Sequence, residues 1–134
     1  MPSSSGLTHV AMSVPEGTLT DSYRARVLEF YGRLLDWREM ESLRRPDRLT
    51  VAVGSSSYIN LRERPDSMVT HGYEHFGVSV RSAEDLQRLW AELANEADDL
   101  QLEPLTTNDD GEGSFRFRYL LPMAVEAQFY ASLL

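Results

Sequence analysis

Two of the three histidines in this 134-residue chain stand third in look-alike segments, His9 in "LTHVAMSV" (7–14) and His75 in "YEHFGVSV" (73–80). The offset is 66 residues, close to half the length. Shifted by the same amount, "SYINLRE" (57–63) falls on "MAVEAQF" (123–129), which places Asn60 over Glu126. Both sit mid-strand between apolar neighbours. A carboxylate in such a place is costly unless a partner or a cation compensates it. Two imidazoles and a carboxylate on one face make the donor set of open catalytic sites for divalent metals, with positions left over for water or substrate. His9, His75 and Glu126 are therefore the candidate ligands. Asn60 is an accessory that lends an amide oxygen or hydrogen-bonds a bound water.

The strand pattern explains why these residues share a face. Side chains alternate along a strand. Val10, Met12 and Val14 lie on one side of the first segment, and His9, Ala11 and Ser13 on the other. Phe76, Val78 and Val80 likewise oppose His75, Gly77 and Ser79. The bulky side belongs beneath a helix, so both imidazoles point to an open face with small neighbours.

Each strand is followed by a helical pattern. In "TLTDSYRARVLEFYGRLL" the apolar stripe is Tyr23, Val27, Phe30, Tyr31 and Leu34, with Thr18 and Asp21 as a capping pair. In "SAEDLQRLWAELANEA" it is Leu86, Leu89, Trp90 and Leu93, capped by Ser82 and Asp85. Three strand candidates follow each helix: 37–44, 48–54 and 57–63, then 98–106, 113–121 and 124–131. "RRPDR" and "NDDGEG" read as hairpin turns, and Glu74 reads as structural. Each half is βαβββ. The expected fold is α+β, two modules spanning 1–66 and 67–134 that form a curved mixed sheet around a cleft.

Composition narrows the function. There is no cysteine, hence no disulfide, thiol nucleophile or Cys-type zinc site. All 13 basic residues are arginine, which removes lysine Schiff bases and the P-loop lysine. A net charge of -8 disfavours nucleic acid, whose phosphates need a basic face. No apolar run is long enough for a membrane helix and no leader pattern opens the chain, so a soluble, cytoplasmic protein is expected.

One further stretch and one further histidine carry expectations. In "SFRFRY" the simplest outcome is a strand whose aromatic row enters the core; with the arginines in the cleft, they would bind an anionic substrate. Tyr119 ends that run. His71, in the connection between the halves, is a loop histidine placed to serve as a mobile acid or base.

In the order and spacing of "THVAMSV", "VLEFYGRLLDW", "SYINLRERP", "EHFGVSV" and "LPMAVEAQFY", the chain resembles the vicinal oxygen chelate superfamily (glyoxalases, bleomycin-resistance proteins and extradiol dioxygenases) over nearly its whole length. The resemblance implies ligands on the first and last strand of each module, which fall on His9, Asn60, His75 and Glu126. It also implies a divalent ion (iron, manganese, zinc or nickel) that binds a small oxygen-rich substrate through adjacent oxygens and stabilises an enolate or alkoxide. A dioxygenase, isomerase or lyase is expected, with His71 and Tyr119 as catalytic candidates. Uncovered sheet edges together with the resemblance imply a homodimer.

Each subfamily pattern is departed from somewhere. Glyoxalase I enzymes carry a carboxylate where Asn60 stands, and the epimerases a glutamine. The fosfomycin-resistance enzymes have a lysine-containing anion pocket, for which this chain has no lysine. The extradiol motif places a tyrosine one position away from Tyr119. The alternative reading is a metal-free, antibiotic-type binding protein of the bleomycin-resistance type, in which an acidic chain suits a cationic ligand.

Overall fold

The structure, a computed structural model, describes residues 5–96 and 99–133. The chain divides into two compact units between Val69 and Thr70. Each contains a βαβββ module built on a four-stranded mixed sheet.

In the first unit β1 (His9–Pro15), α1 (Asp21–Leu35), β2 (Arg38–Glu39), β3 (Arg48–Ala52) and β4 (Tyr58–Arg64) form a sheet in the order β1-β4-β3-β2. β1 runs parallel to β4, and the other pairs are antiparallel. Alternation along β1 places Met12 and Val14 in the core and leaves His9 and Ala11 exposed. From α1, Val27, Phe30 and Tyr31 are buried, and the Tyr31 ring stacks on Trp37 at 4.5 Å. Tyr23 and Leu34 are half-buried at the margins of the stripe, and burial pushes the Tyr23 hydroxyl up to about 12 despite the opposing pull of Arg26.

Two features of α1 differ from expectation. The cap is Thr20, whose side chain accepts from the Tyr23 N–H at 3.1 Å. Thr18 instead donates its hydroxyl to the Pro15 carbonyl at 2.7 Å, closing the longer β1–α1 connection. The second feature is a buried arginine. Arg24 is 6% exposed and spends its guanidinium entirely on backbone: Nε on Leu19, Nη1 on Arg48, and Nη2 on Arg45 and Pro46, all at 2.7–3.1 Å. It ties α1 to the Pro46–Asp47 turn that enters β3.

In the second unit β5 (His75–Ser79), α2 (Ala83–Ala94), β6 (Thr106–Thr107), β7 (Gly113–Phe117) and β8 (Ala124–Phe129) are ordered β5-β8-β7-β6. Ser82 caps α2 as expected, accepting from the Asp85 N–H at 3.0 Å. Leu86, Leu89 and Leu93 are buried with Phe115, Phe117 and Val125. Trp90 is half-buried and donates its indole N–H to the Glu103 carbonyl at 3.0 Å.

The duplication is written in the strand registers. His9 pairs with Tyr58 and His75 with Ala124; Ala11 pairs with Asn60 and Gly77 with Glu126. Thr50 pairs with Asn60 as Arg116 pairs with Glu126. Each relation carries over by 66 residues.

Several strands are shorter than their patterns. β2 stops after Glu39 because Glu41–Leu43 wind into a 3-10 turn. Residue 98, the start of the expected 98–106 strand, lies outside the described residues. From 99 onward only Thr106–Thr107 pairs as strand: Gln101 takes a left-handed φ of 48° and Pro104 has no N–H to donate. β7 ends at Phe117, ahead of a turn in which Leu120 has a φ of 65°. Gly113 permits the closest approach: a Cβ there would lie 1.8 Å from the Thr106 carbonyl oxygen.

Two substitutions test these contacts. Arg24→Met leaves four carbonyls without their donor and is expected to cost about 3 kcal/mol in urea unfolding. Gly113→Ala forces the β6 backbone away and is expected to cost about 2 kcal/mol or more, with loss of amide protection along β6–β7. A change below about 0.5 kcal/mol, the range of ordinary surface substitutions, would contradict either assignment.

Candidate metal and ligand site

The polar face of the second sheet carries the site. Parallel pairing sets His75 across from Ala124 and Glu126 across from Gly77, so imidazole and carboxylate share a face two positions apart on neighbouring strands. Gly77 and Ala124 offer almost no side chain between them. His75 Nε2 and Glu126 Oε2 meet at 3.3 Å, with side chains 22% and 25% exposed.

The other ring nitrogen decides what that contact means. His75 Nδ1 lies 2.6 Å from the Tyr73 carbonyl oxygen. A carbonyl only accepts, so Nδ1 carries the proton and donates. In the neutral ring, Nε2 therefore presents a lone pair to a carboxylate oxygen. Two such atoms need a cation between them, either a proton or a metal ion. The donor set fits a metal: two donors each about 2.1 Å from one ion lie roughly 3.0–3.4 Å apart in octahedral to tetrahedral geometry. A backbone carbonyl on the far nitrogen is also the usual brace of a ligating histidine.

Beside this pair lies a groove of about 430 Å³ lined by Tyr73, His75, Glu103, Phe115, Arg116 and Glu126, among others. The rows of "SFRFRY" sort as alternation requires: Phe115 and Phe117 are buried, and Arg116 reaches the groove. Arg116 holds Glu103 in a two-pronged ion pair, Nε to Oε2 at 3.0 Å and Nη2 to Oε1 at 3.2 Å. Its guanidinium also stands 5.7 Å from the centre of the Tyr73 ring, which packs edge-on to His75 at 5.4 Å. Tyr73 is 76% exposed, at the rim. Glu103 and Tyr73 were not among the residues singled out in the sequence. Both are irregular in the structure although they fall in runs that read as strand, so alternation does not mark them as facing side chains.

In the first unit the matching positions carry neither carboxylate nor guanidinium. His9 lies flat on Tyr58, centroids 4.7 Å apart and planes 3° from parallel, with Nδ1 2.9 Å from the Thr8 hydroxyl. Asn60 accepts from the buried Thr50 hydroxyl at 3.2 Å. His9 and Asn60 thus share a face on neighbouring strands, but their own contacts are with Tyr58 and Thr50. Among the described residues, no group of three or more His, Asp and Glu side chains lies close enough to hold one ion.

His71 is exposed in the connection before β5, where its N–H donates to Glu74 at 2.9 Å. That bond and the backbone N–H of Glu74 itself hold the Glu74 carboxyl below the usual carboxylate range, so Glu74 braces the turn. Tyr119 is half-buried in the turn after β7. Neither His71 nor Tyr119 lines the groove. Arg118, the other arginine of the run, is committed to Thr70 and the Pro122 carbonyl.

No protein-family model matches the chain, and no curated protein matches it in sequence. Solved structures do match it. The fosfomycin resistance protein FosX from Listeria monocytogenes superposes with a TM-score of 0.66 at 14% identity, over 96% of each chain. A glyoxylase/bleomycin resistance protein/dioxygenase domain from Frankia sp. EAN1pec gives 0.65 at 23% identity, over 95% of this chain and 98% of that one. Lactoylglutathione lyase from Agrobacterium tumefaciens gives 0.65 at 15% identity, over 94% of each. FosX has also been solved in complex with Mn(II) and sulfate, and that form superposes at 0.66 over 95% of this chain and 91% of that one, at 16% identity. The chain has the vicinal-oxygen-chelate fold. No helix among the described residues is long and apolar enough to cross a membrane.

The tautomer is directly measurable. Long-range 1H–15N spectra of the metal-free protein should show the neutral His75 ring protonated on Nδ1. A neutral ring protonated on Nε2 would remove the Tyr73 brace and with it the ligand reading of His75.

Proposed function

We propose that the chain is a divalent-metal-dependent enzyme acting on a small oxygen-rich molecule, of the dioxygenase, isomerase or lyase type. The observation that supports it is the His75–Glu126 contact, with Nδ1 committed to a carbonyl and Nε2 turned to a carboxylate oxygen. His9, the counterpart of His75 in the duplicated register, is the third ligand, from the same chain or from a second copy in a homodimer. Asn60 is an accessory to the same face. The Mn(II) held by FosX, a protein of the same fold, supports manganese as one fitting ion; iron, zinc and nickel suit the same donors.

When bound, the ion supplies Lewis-acid polarisation of substrate oxygens. The chain's own residues do the rest. The Tyr73 carbonyl keeps the His75 lone pair aimed, Arg116 and Tyr73 wall the groove, and Glu103 fixes Arg116. His71 and Tyr119, in the connections that precede β5 and follow β7, are the proposed proton-transfer groups, although neither lines the groove.

A second reading is a metal-free small-molecule binding protein of the antibiotic-sequestering type, supported by the net charge of -8, which suits a cationic ligand. Metal analysis separates the two. The enzyme reading expects stoichiometric metal in protein incubated with Mn(II), Fe(II), Zn(II) or Ni(II). Affinity should fall at least about a hundredfold in each of His9→Ala, His75→Ala and Glu126→Ala. A wild-type chain that takes up none of these ions would contradict it and leave the binding protein.

A further inference from the structure

Arg116 has more donors than its partner uses. Nε and Nη2 are taken by the two oxygens of Glu103. Nη1 points along the groove towards His75 and lies 3.5 Å from Nδ1. That is no hydrogen bond, because Nδ1 already donates to the Tyr73 carbonyl and two donors face each other. Nη1 is thus the one prong of the fork with no acceptor among the described contacts, and it opens beside His75 and Glu126.

Glu103 is placed to occupy the other two prongs. Its N–H donates to the Arg116 carbonyl at 2.9 Å and its own carbonyl accepts from Trp90 at 3.0 Å, so its backbone is fixed on both sides. The carboxylate itself is about half exposed. An exposed carboxylate is exchangeable: water can take its place as it leaves, and an incoming anion can take its bonds. The matching position in the first unit is Thr50, a buried neutral hydroxyl bonded to Asn60, so the cation belongs to the second unit alone.

We propose that Arg116 is the receptor for an anionic group, a carboxylate or phosphate, on the ligand of this groove. Nη1 takes the first oxygen, and the fork is completed as Glu103 yields. Guanidinium forks match both groups in two-pronged geometry. The Tyr73 ring flanks the guanidinium and closes one side of the subsite. This deepens the proposed function by fixing a substrate class for the same groove, and it rests on that reading for its setting; its test needs no metal.

The test is a titration of the dialysed, metal-free full chain with inorganic phosphate, followed by 31P NMR, on wild type, Glu103→Gln, and Glu103→Gln combined with Arg116→Gln. With Glu103 neutralised, phosphate should bind about tenfold tighter than to wild type. Removing Arg116 should abolish that gain. No gain in Glu103→Gln, or a gain that persists without Arg116, overturns the proposal, since the latter is general charge removal. Where Arg116→Gln does not fold, Arg116→Lys keeps the charge and loses the fork; the gain should then fall several-fold, and an undiminished gain overturns the proposal. Metal uptake measured on the same variants is unaffected by this outcome, so the two readings fail separately.

Discussion

The register between β5 and β8 is the constraint on which the site depends. It puts His75 and Glu126 on one face, two positions apart, and opposes them with Ala124 and Gly77, whose side chains cannot come between them. A slip of one residue would turn one member of the pair to the other face. A second register, antiparallel between β7 and β8, sets Arg116 opposite Glu126, so ligand pair and cation meet from the two edges of β8. Tyr73 then adds what strand pairing cannot, a carbonyl that decides which nitrogen of His75 is free.

Duplication preserved the frame and changed its contents. Tyr58, Thr50 and Asn60 in the first unit stand where Ala124, Arg116 and Glu126 stand in the second. The aromatic ring holds His9 flat, while the small Ala124 leaves His75 free to lean towards a carboxylate. One face therefore carries no carboxylate or guanidinium at these positions, and Thr50 donates to Asn60. The other carries unlike charges and a groove.

Much of this was legible in the residues. Alternation identified the exposed side of β1, the shared offset predicted two βαβββ modules, and the sorting of Phe115 and Phe117 from Arg116 followed from period two. What was hidden has physical reasons. Arg24 stands beside Val27 and Tyr31 on the helical wheel, but nothing in a sequence announces four backbone carbonyls waiting for a guanidinium. The cap expected at Thr18 falls on Thr20, because the length of the preceding turn decides which threonine reaches the helix start. β2 and β6 are short because a 3-10 turn, a left-handed Gln101 and Pro104 interrupt runs that look continuous. Glu103 and Tyr73 fall in runs that read as strand, 98–106 and 73–80, yet both are irregular in the structure, so alternation does not reveal their approach to Arg116 and His75.

The account stands on one cation position between an imidazole nitrogen and a carboxylate oxygen. Crystals soaked in Mn(II), measured for anomalous scattering, locate it most directly. The account predicts a peak about 2.1 Å from both His75 Nε2 and Glu126 Oε2. Ordered crystals with no peak there, or with manganese bound only elsewhere, would contradict it.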